Sequence, residues 1–175
     1  MGLAELRELN IRETREKLDS LSDEVKLFRL LHLHDEIVKS IGRLARSEAV
    51  DKTDDVLSEA LDSMEKLKAK YEQEISALCS NAAPRTAKLL GHILAAKVLY
   101  LAGGLRKLAS MPSSKIQVLG AEKAFFKHLK KDSRPPKQGI IFQHIKVKES
   151  ENKGKAARQL ASEIMKTARI DFFRK

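Results

Sequence analysis

With 175 residues, 42% hydrophobic and 33% charged, and a formal net charge of +10, the chain has enough apolar residues for a core and carries more charge than the roughly 25% of ordinary domains. One cysteine, Cys79, excludes a disulfide within the chain and the ligand spacing of a cysteine-based zinc site. No apolar run reaches the roughly 18 residues of a membrane span, and acids among the first residues do not fit a secretory signal, so a soluble protein of a reducing compartment is expected, cytoplasmic or, in a eukaryote, nuclear, with no membrane partner.

The apolar residues Leu27, Leu30, His34, Ile37, Ile41 and Leu44 alternate three and four apart, which predicts a helix over 22–46. A second stripe, Leu57, Leu61, Met64, Leu67, Tyr71, Ile75 and Leu78, follows a polar stretch in which Asp51 and Thr53 are available N-caps. The two stripes predict an antiparallel, coiled-coil-like hairpin whose first arm would reach about 37 Å at 1.5 Å per residue. Before it, Ser20 and Asp23 can cap a fresh helix, and a further weakly amphipathic helix is expected over 1–20. After Cys79, Asn81 to Pro84 open a core helix over 85–102 that closes at Gly103-Gly104. Short helices are expected over 105–109 and 120–130, a loop with an extended piece at Ile140 to Phe142 over 134–148, and a last helix over 152–172. The fold class is all-α, divided into a helical region, 1–78, and a compact helical globule, 79–175.

Charge follows the same division. Residues 1–78 hold 13 Lys+Arg against 18 Asp+Glu, whereas 79–175 hold 21 against 6. Basicity concentrated in one half makes a field that attracts polyanions.

Within that half, Gly120 and Ala121 stand at an expected helix start with Lys123 one turn in, a setting whose free amides and positive dipole end suit an anion; an ordinary tightly packed helix start reads the same way. Pro135-Pro136 stiffens the next loop, Gly139 permits close approach, and Arg134 and Lys137 present charge. Lys153, Lys155 and Arg158 crowd another helix start, where they oppose the dipole, so an external anion would explain them better than stability does. His128 and His144 can meet a base or a phosphate, or serve as ordinary surface or core histidines. Phe125, Phe126, Phe172 and Phe173 are expected in the core rather than as stacking platforms.

No catalytic constellation emerges. His32 and His34, two apart on a helix, point to different faces and would not share a metal, and no phosphate-binding or dinucleotide loop is present. Neither an enzyme activity nor a cofactor is expected, and Cys79 reads as a small buried hydrophobe.

The C-terminal half resembles the Nop domain. The resemblance runs from about Leu78 to Phe173 and is carried by Ala83-Pro84, Leu89-Leu90-Gly91, Leu101-Ala102-Gly103-Gly104-Leu105, Met111-Pro112-Ser113-Ser114 and Gly120-Ala121-Glu122-Lys123. It continues through Arg134-Pro135-Pro136-Lys137, Gln143-His144, Gly154-Lys155-Ala156-Ala157-Arg158 and Ala168-Arg169-Ile170-Asp171. It implies a helical arm joined to a globule that clamps a kink-turn RNA of the box C/D type, together with a small kink-turn-binding protein. By that resemblance, RNA lies nearest Lys123, His128, Lys137, His144, Lys155 and Arg158, with backbone access at Gly120 and Ala121. The family includes archaeal box C/D ribonucleoprotein scaffolds and a pre-mRNA splicing factor. The sequence has Gln138, Phe142 and Lys153 where His, Tyr and Arg are frequent in the scaffolds. With no fibrillarin-recruiting domain before the hairpin, it resembles a minimal stand-alone member, nearer an RNA clamp than a methylation scaffold. The alternative is a structural protein-interaction module using the acidic hairpin, through which the chain could also self-associate, or a scaffold competing within the box C/D RNA methylation complex.

Overall fold

The computed structural model describes residues 22–44, 55–122, 124, 126 and 138–173. The helix expected over 1–20 and most of that expected over 120–130 lie outside these residues. Eight α-helices and one 3₁₀ turn are described, and no strand forms among them. The all-α class is therefore what the chain adopts.

α1 (Asp23–Leu44) and α2 (Asp55–Ala82) form the hairpin. Its base is part of the main core: Leu27, Leu30, Leu31, Ile75 and Cys79 are all buried there. Farther out the stripe is half-buried at Ile37, Ile41, Leu44, Leu61 and Met64 and exposed at Leu67, and Leu33 and Val38, off the stripe, are exposed as well. His34 is buried at the seam with its Nε2 3.2 Å from Glu72 Oε1, whereas His32 is exposed, so the two imidazoles do diverge.

The helix expected to run unbroken over 85–102 is two helices, α3 (Pro84–Leu90) and α4 (His92–Ala102). Gly91 separates them at φ 78° and ψ 151°, an extended left-sided conformation open to glycine and incompatible with helix continuation. α4 is the centre of the globule, burying Leu94, Ala95, Ala96, Val98, Leu99 and Ala102. Gly103 takes the left-handed conformation at its end, and Gly103 and Gly104 return their N–H groups to Tyr100 and Leu99 carbonyls.

α5 (Leu105–Ser110) and α6 (Ser113–Gln117) follow around Pro112, and the second of them has no counterpart in the sequence reading. The 3₁₀ turn (Ile140–Gln143) takes the place of the expected extended piece, and α7 (Ile145–Lys148) follows it. α8 (Lys153–Phe173) closes the globule, burying Ala157, Leu160, Ala161, Ile164 and Ala168. Its last turn contributes a polar strut: Asp171, 5% exposed, accepts the Arg85 N–H at 3.1 Å and the Thr86 N–H at 2.9 Å. Those are first-turn amides of α3, whose own N-cap, Ala83, has no side chain to offer.

α5 is started the same way. Glu24 Oε1 accepts the Leu105 N–H at 2.9 Å, fixing the hairpin to the globule by a carboxylate at a helix start. Phe126 and Phe173 are 60% and 74% exposed, against the expectation that they are core, while Phe172 is half-buried. Phe125 lies outside the description. No helix among the described residues is long and apolar enough to cross a membrane.

Candidate nucleic-acid interface

The two signature segments, around Gly120 and around Gly139, meet in space. Gly139 donates its N–H to the Gln117 carbonyl at 2.8 Å, and Ile140 donates to Leu119 at 2.7 Å. The contact is so close that a Cβ on Gly139 would lie 2.0 Å from the Leu119 oxygen, so only glycine fits. Gly120, at φ 81°, completes the turn that leaves α6, and a Cβ there would press on Leu101 at 3.0 Å. A turn, a loop and the end of α4 are thus locked as one unit.

The amides of that unit are already spoken for. Gly120 donates its N–H to Glu122 Oε1 at 2.9 Å, and Ala121 donates to the Val118 carbonyl at 2.9 Å. A carboxylate of the chain therefore sits where the sequence reading places an external anion. Gly120 is exposed and Ala121 half-buried.

His144 serves as a strut beside them. Its Nδ1 accepts the Lys146 N–H at 3.3 Å, capping α7, and its Nε2 is 3.2 Å from the Leu89 carbonyl, an arrangement that assigns the proton to Nε2. Both ring nitrogens are thus engaged within the fold, the ordinary structural use the sequence reading left open.

The 3₁₀ turn leads to the cationic start of α8. Lys153 Nζ stands 5.5 Å from the centre of the Phe142 ring, a cation–π contact that draws the first residue of α8 toward the turn. Asn152 caps the helix, its Oδ1 accepting the Lys155 N–H at 3.0 Å. Lys153, Lys155 and Arg158 are exposed, and no acid stands in the first turn to complement the dipole. Of the ten candidates, Gly120, Ala121, His144 and Lys153 are joined through the 139–142 turn, and Lys155 and Arg158 follow on α8. Lys123, His128, Arg134 and Lys137 lie outside the described residues.

Asn152 and Phe142 were missed as positioning residues. A readable signal existed for Asn152, an N-cap residue three positions before Lys155. None existed for Phe142, whose role depends on the 3₁₀ turn. Among the described residues no group of three His, Cys, Asp or Glu is placed to hold a metal. What the arrangement offers chemically is cationic, hydrogen-bonding contact on a rigid frame.

The family model for the Nop snoRNA binding domain, whose description also names fibrillarin, matches residues 6–175. An uncharacterized NOP5 family protein of Methanocaldococcus jannaschii is 47% identical over 110 residues, 62% of this chain and 26% of that protein. Nucleolar protein 56 of Dictyostelium discoideum is 38% identical over 63% of the chain and 21% of its own length. Nucleolar protein 58 of Schizosaccharomyces pombe is 39% identical over 59% and 22%. The matched region thus spans only about a quarter or less of each relative. Among solved structures, the crystal structure of a fibrillarin/Nop5p complex is similar over 99% of this chain and 73% of that one, with TM-score 0.64 and 27% identity.

Proposed function

The chain belongs to the Nop family, and from that premise we propose that it is an RNA-binding ribonucleoprotein component that grips a kink-turn RNA of the box C/D type jointly with a small kink-turn-binding protein. The observation that carries the reading is the locking of the Gly120 and Gly139 segments by two backbone hydrogen bonds, beside a helix start bearing three exposed cations. Cations held on a rigid frame lose less entropy on binding than cations on a loose tail.

In this reading 79–175 is the RNA-binding globule and 1–78 the helical arm. Gly120, Ala121, Lys123, His128, Arg134, Lys137, His144, Lys153, Lys155 and Arg158 form or support the RNA face. His144 and Ala121 support it from within, given the bonds they already make. The protein acts by binding, with no catalytic step of its own, and works where its RNA is, in the cytoplasm or, in a eukaryote, the nucleus.

Titrating a kink-turn RNA at several salt concentrations, with and without a kink-turn-binding protein, tests this. Affinity should fall with a log–log slope of roughly −0.7 to −0.9 per phosphate contacted. No binding at low salt in either case would defeat the proposal.

A second reading rests on the outer hairpin, where Leu33, Val38 and Leu67 are exposed on an acidic arm. Exposed apolar side chains on that arm suit a protein partner or a second copy of the chain. A complex recovered from cells that survives nuclease treatment would favour it, and one that dissolves would favour RNA.

A further inference from the structure

Three described cations outside the signature stand together. Arg106, Lys107 and Lys115 line an open groove of about 450 Å³ formed by α5 and α6, with Ser110, Met111 and Pro112 between them. All three are exposed, and none forms an ion pair among the described residues. Other lysines of the chain do find carboxylates, as Lys97 does with Asp35 at 3.1 Å and Lys146 with Glu163 at 3.8 Å. From Leu105 to Ala121 the sequence contains no Asp or Glu at all. The lining of the groove is therefore of one sign, with the Glu24 carboxylate held at the Leu105 N–H outside it, a charge pattern favourable for a polyanion.

Its place in the fold connects it to the proposed RNA face. Arg169 Nε of α8 donates to the Ala109 carbonyl of α5 at 3.2 Å, marking the flank of α8 that meets this segment. At 3.6 residues per turn, Arg158 lies on that same flank three turns earlier, about 16 Å along the axis. At the other end, Gln117 of α6 holds Gly139 of the signature unit. The segment bearing the groove thus runs beside α8 between the signature turn and Arg169.

The lining decides what kind of contact it makes. It contains no aromatic ring to stack a base, and its donors are two lysines and a guanidinium. Ser110 donates its hydroxyl back to the Arg106 carbonyl at 3.0 Å. Such a surface grips phosphates and does not read bases.

We infer that the α5–α6 groove is a second contact surface for the RNA backbone, taking phosphates of a helix that continues past the signature elements. The inference rests on the RNA reading above. It makes the affinity of this chain depend on the length of RNA beyond the kink.

The test compares a kink-turn RNA with the same RNA carrying one stem lengthened by a helical turn, both with the kink-turn-binding protein present. The wild type should bind the longer RNA more tightly. R106A/K107A/K115A should bring the longer RNA down to the affinity of the shorter and reduce the magnitude of its log–log salt slope by roughly 2. Lys155→Ala with Arg158→Ala should instead weaken both RNAs. Because Lys107 lies across Gly103, R106A/K115A repeats the comparison without disturbing that contact.

Equal binding of the two RNAs by the wild type, or a length preference that survives the triple substitution, overturns the inference and leaves the RNA reading standing. No binding of either RNA removes both. Loss of polyglutamate binding in the triple variant with the RNA preference intact would assign the groove to an acidic protein, which also overturns it.

Discussion

Asp171 Oδ2 accepts both the backbone N–H and the hydroxyl of Thr86, each at 2.9 Å, while its other oxygen accepts the Arg85 N–H at 3.1 Å. One carboxylate from the last turn of α8 thereby satisfies the first turn of α3. Asp171→Ala leaves these buried donors without a partner and should lower stability by about 3 kcal/mol, read as a shift of the urea midpoint at unchanged slope. Asp171→Asn keeps the shape and loses the charge, and it should fall between. Equal midpoints for wild type and Asp171→Ala would show that the strut contributes nothing.

The same carboxylate bears on Cys79. Burial, and secondly the negative charge of Asp171, push the Cys79 thiol up to about 11 from its ordinary 9.0. A folded-state value above the unfolded one means that ionisation favours the unfolded chain. Stability should therefore be unaffected below pH 9 and decline between pH 9 and 11, at a rate approaching about 1.4 kcal/mol per pH unit for this group. Urea midpoints of the wild type and Cys79→Ala across that range isolate it, because other titrating groups cancel in the difference. In the native protein the thiol should react with a disulfide reagent at pH 8 only on denaturation.

What could be read from the sequence, and what could not, divides along chain distance. The hairpin and α8 were legible because their stripes repeat every three to four residues and depend on neighbours in sequence. The cap of α3 was not, since its acceptor stands 85 residues away, and neither was the Glu24 cap of α5, which spans 81. The break at Gly91 was hidden for a different reason: a lone glycine in an Ala- and Leu-rich run is compatible with continuation, and only its φ of 78° shows the stop. Ile140, Ile141 and Phe142 favour extended backbone by residue type. The segment bonds to Leu119 through one amide and then turns, with no partner strand among the described residues to extend it. At the candidate site the cations of α8 were readable because they contradict the helix dipole, whereas Glu122's hold on the Gly120 amide depends on a rotamer that no pattern encodes.

Gly139 is the most demanding position in the site. Any Cβ there would overlap the Leu119 carbonyl, so Gly139→Ala should separate the two signature segments, costing about 2 kcal/mol in the manner of an overpacked contact. RNA affinity should fall in parallel. Gly120→Ala strains the backbone at φ 81° and presses on Leu101, and should cost about 1–2 kcal/mol by the left-handed penalty alone. Amide hydrogen exchange at Gly139 and Ile140 distinguishes the two: it should accelerate most in Gly139→Ala.

Lys153 has two possible uses, holding the 3₁₀ turn through Phe142 or meeting phosphate. Lys153→Arg preserves both charge and ring contact and should leave RNA affinity within about twofold. Phe142→Leu keeps the apolar bulk but removes the ring face. If Lys153 works from a position fixed by that ring, Phe142→Leu should weaken RNA binding without changing the salt slope, because the number of phosphates neutralised stays the same. A change in slope would mean that Lys153 leaves the phosphate altogether once the ring is gone.

Glu122 gives the sharpest test of where the anion goes. Its carboxylate accepts the Gly120 N–H from an exposed position, occupying the amide that a phosphate would use. If RNA approaches this turn, the carboxylate both competes for the donor and repels the ligand. Glu122→Ala should then raise affinity about threefold to fivefold at low salt, the size of a unit-charge repulsion at contact distance in water, with the gain shrinking as salt is added. Glu122→Gln should give a similar rise, since it keeps an acceptor for Gly120 while removing the charge, so a gain shared by both variants would mark repulsion as the larger effect. If RNA passes elsewhere on the globule, neither substitution should change affinity, and Glu122→Ala would register only as a small loss of stability from the uncapped turn.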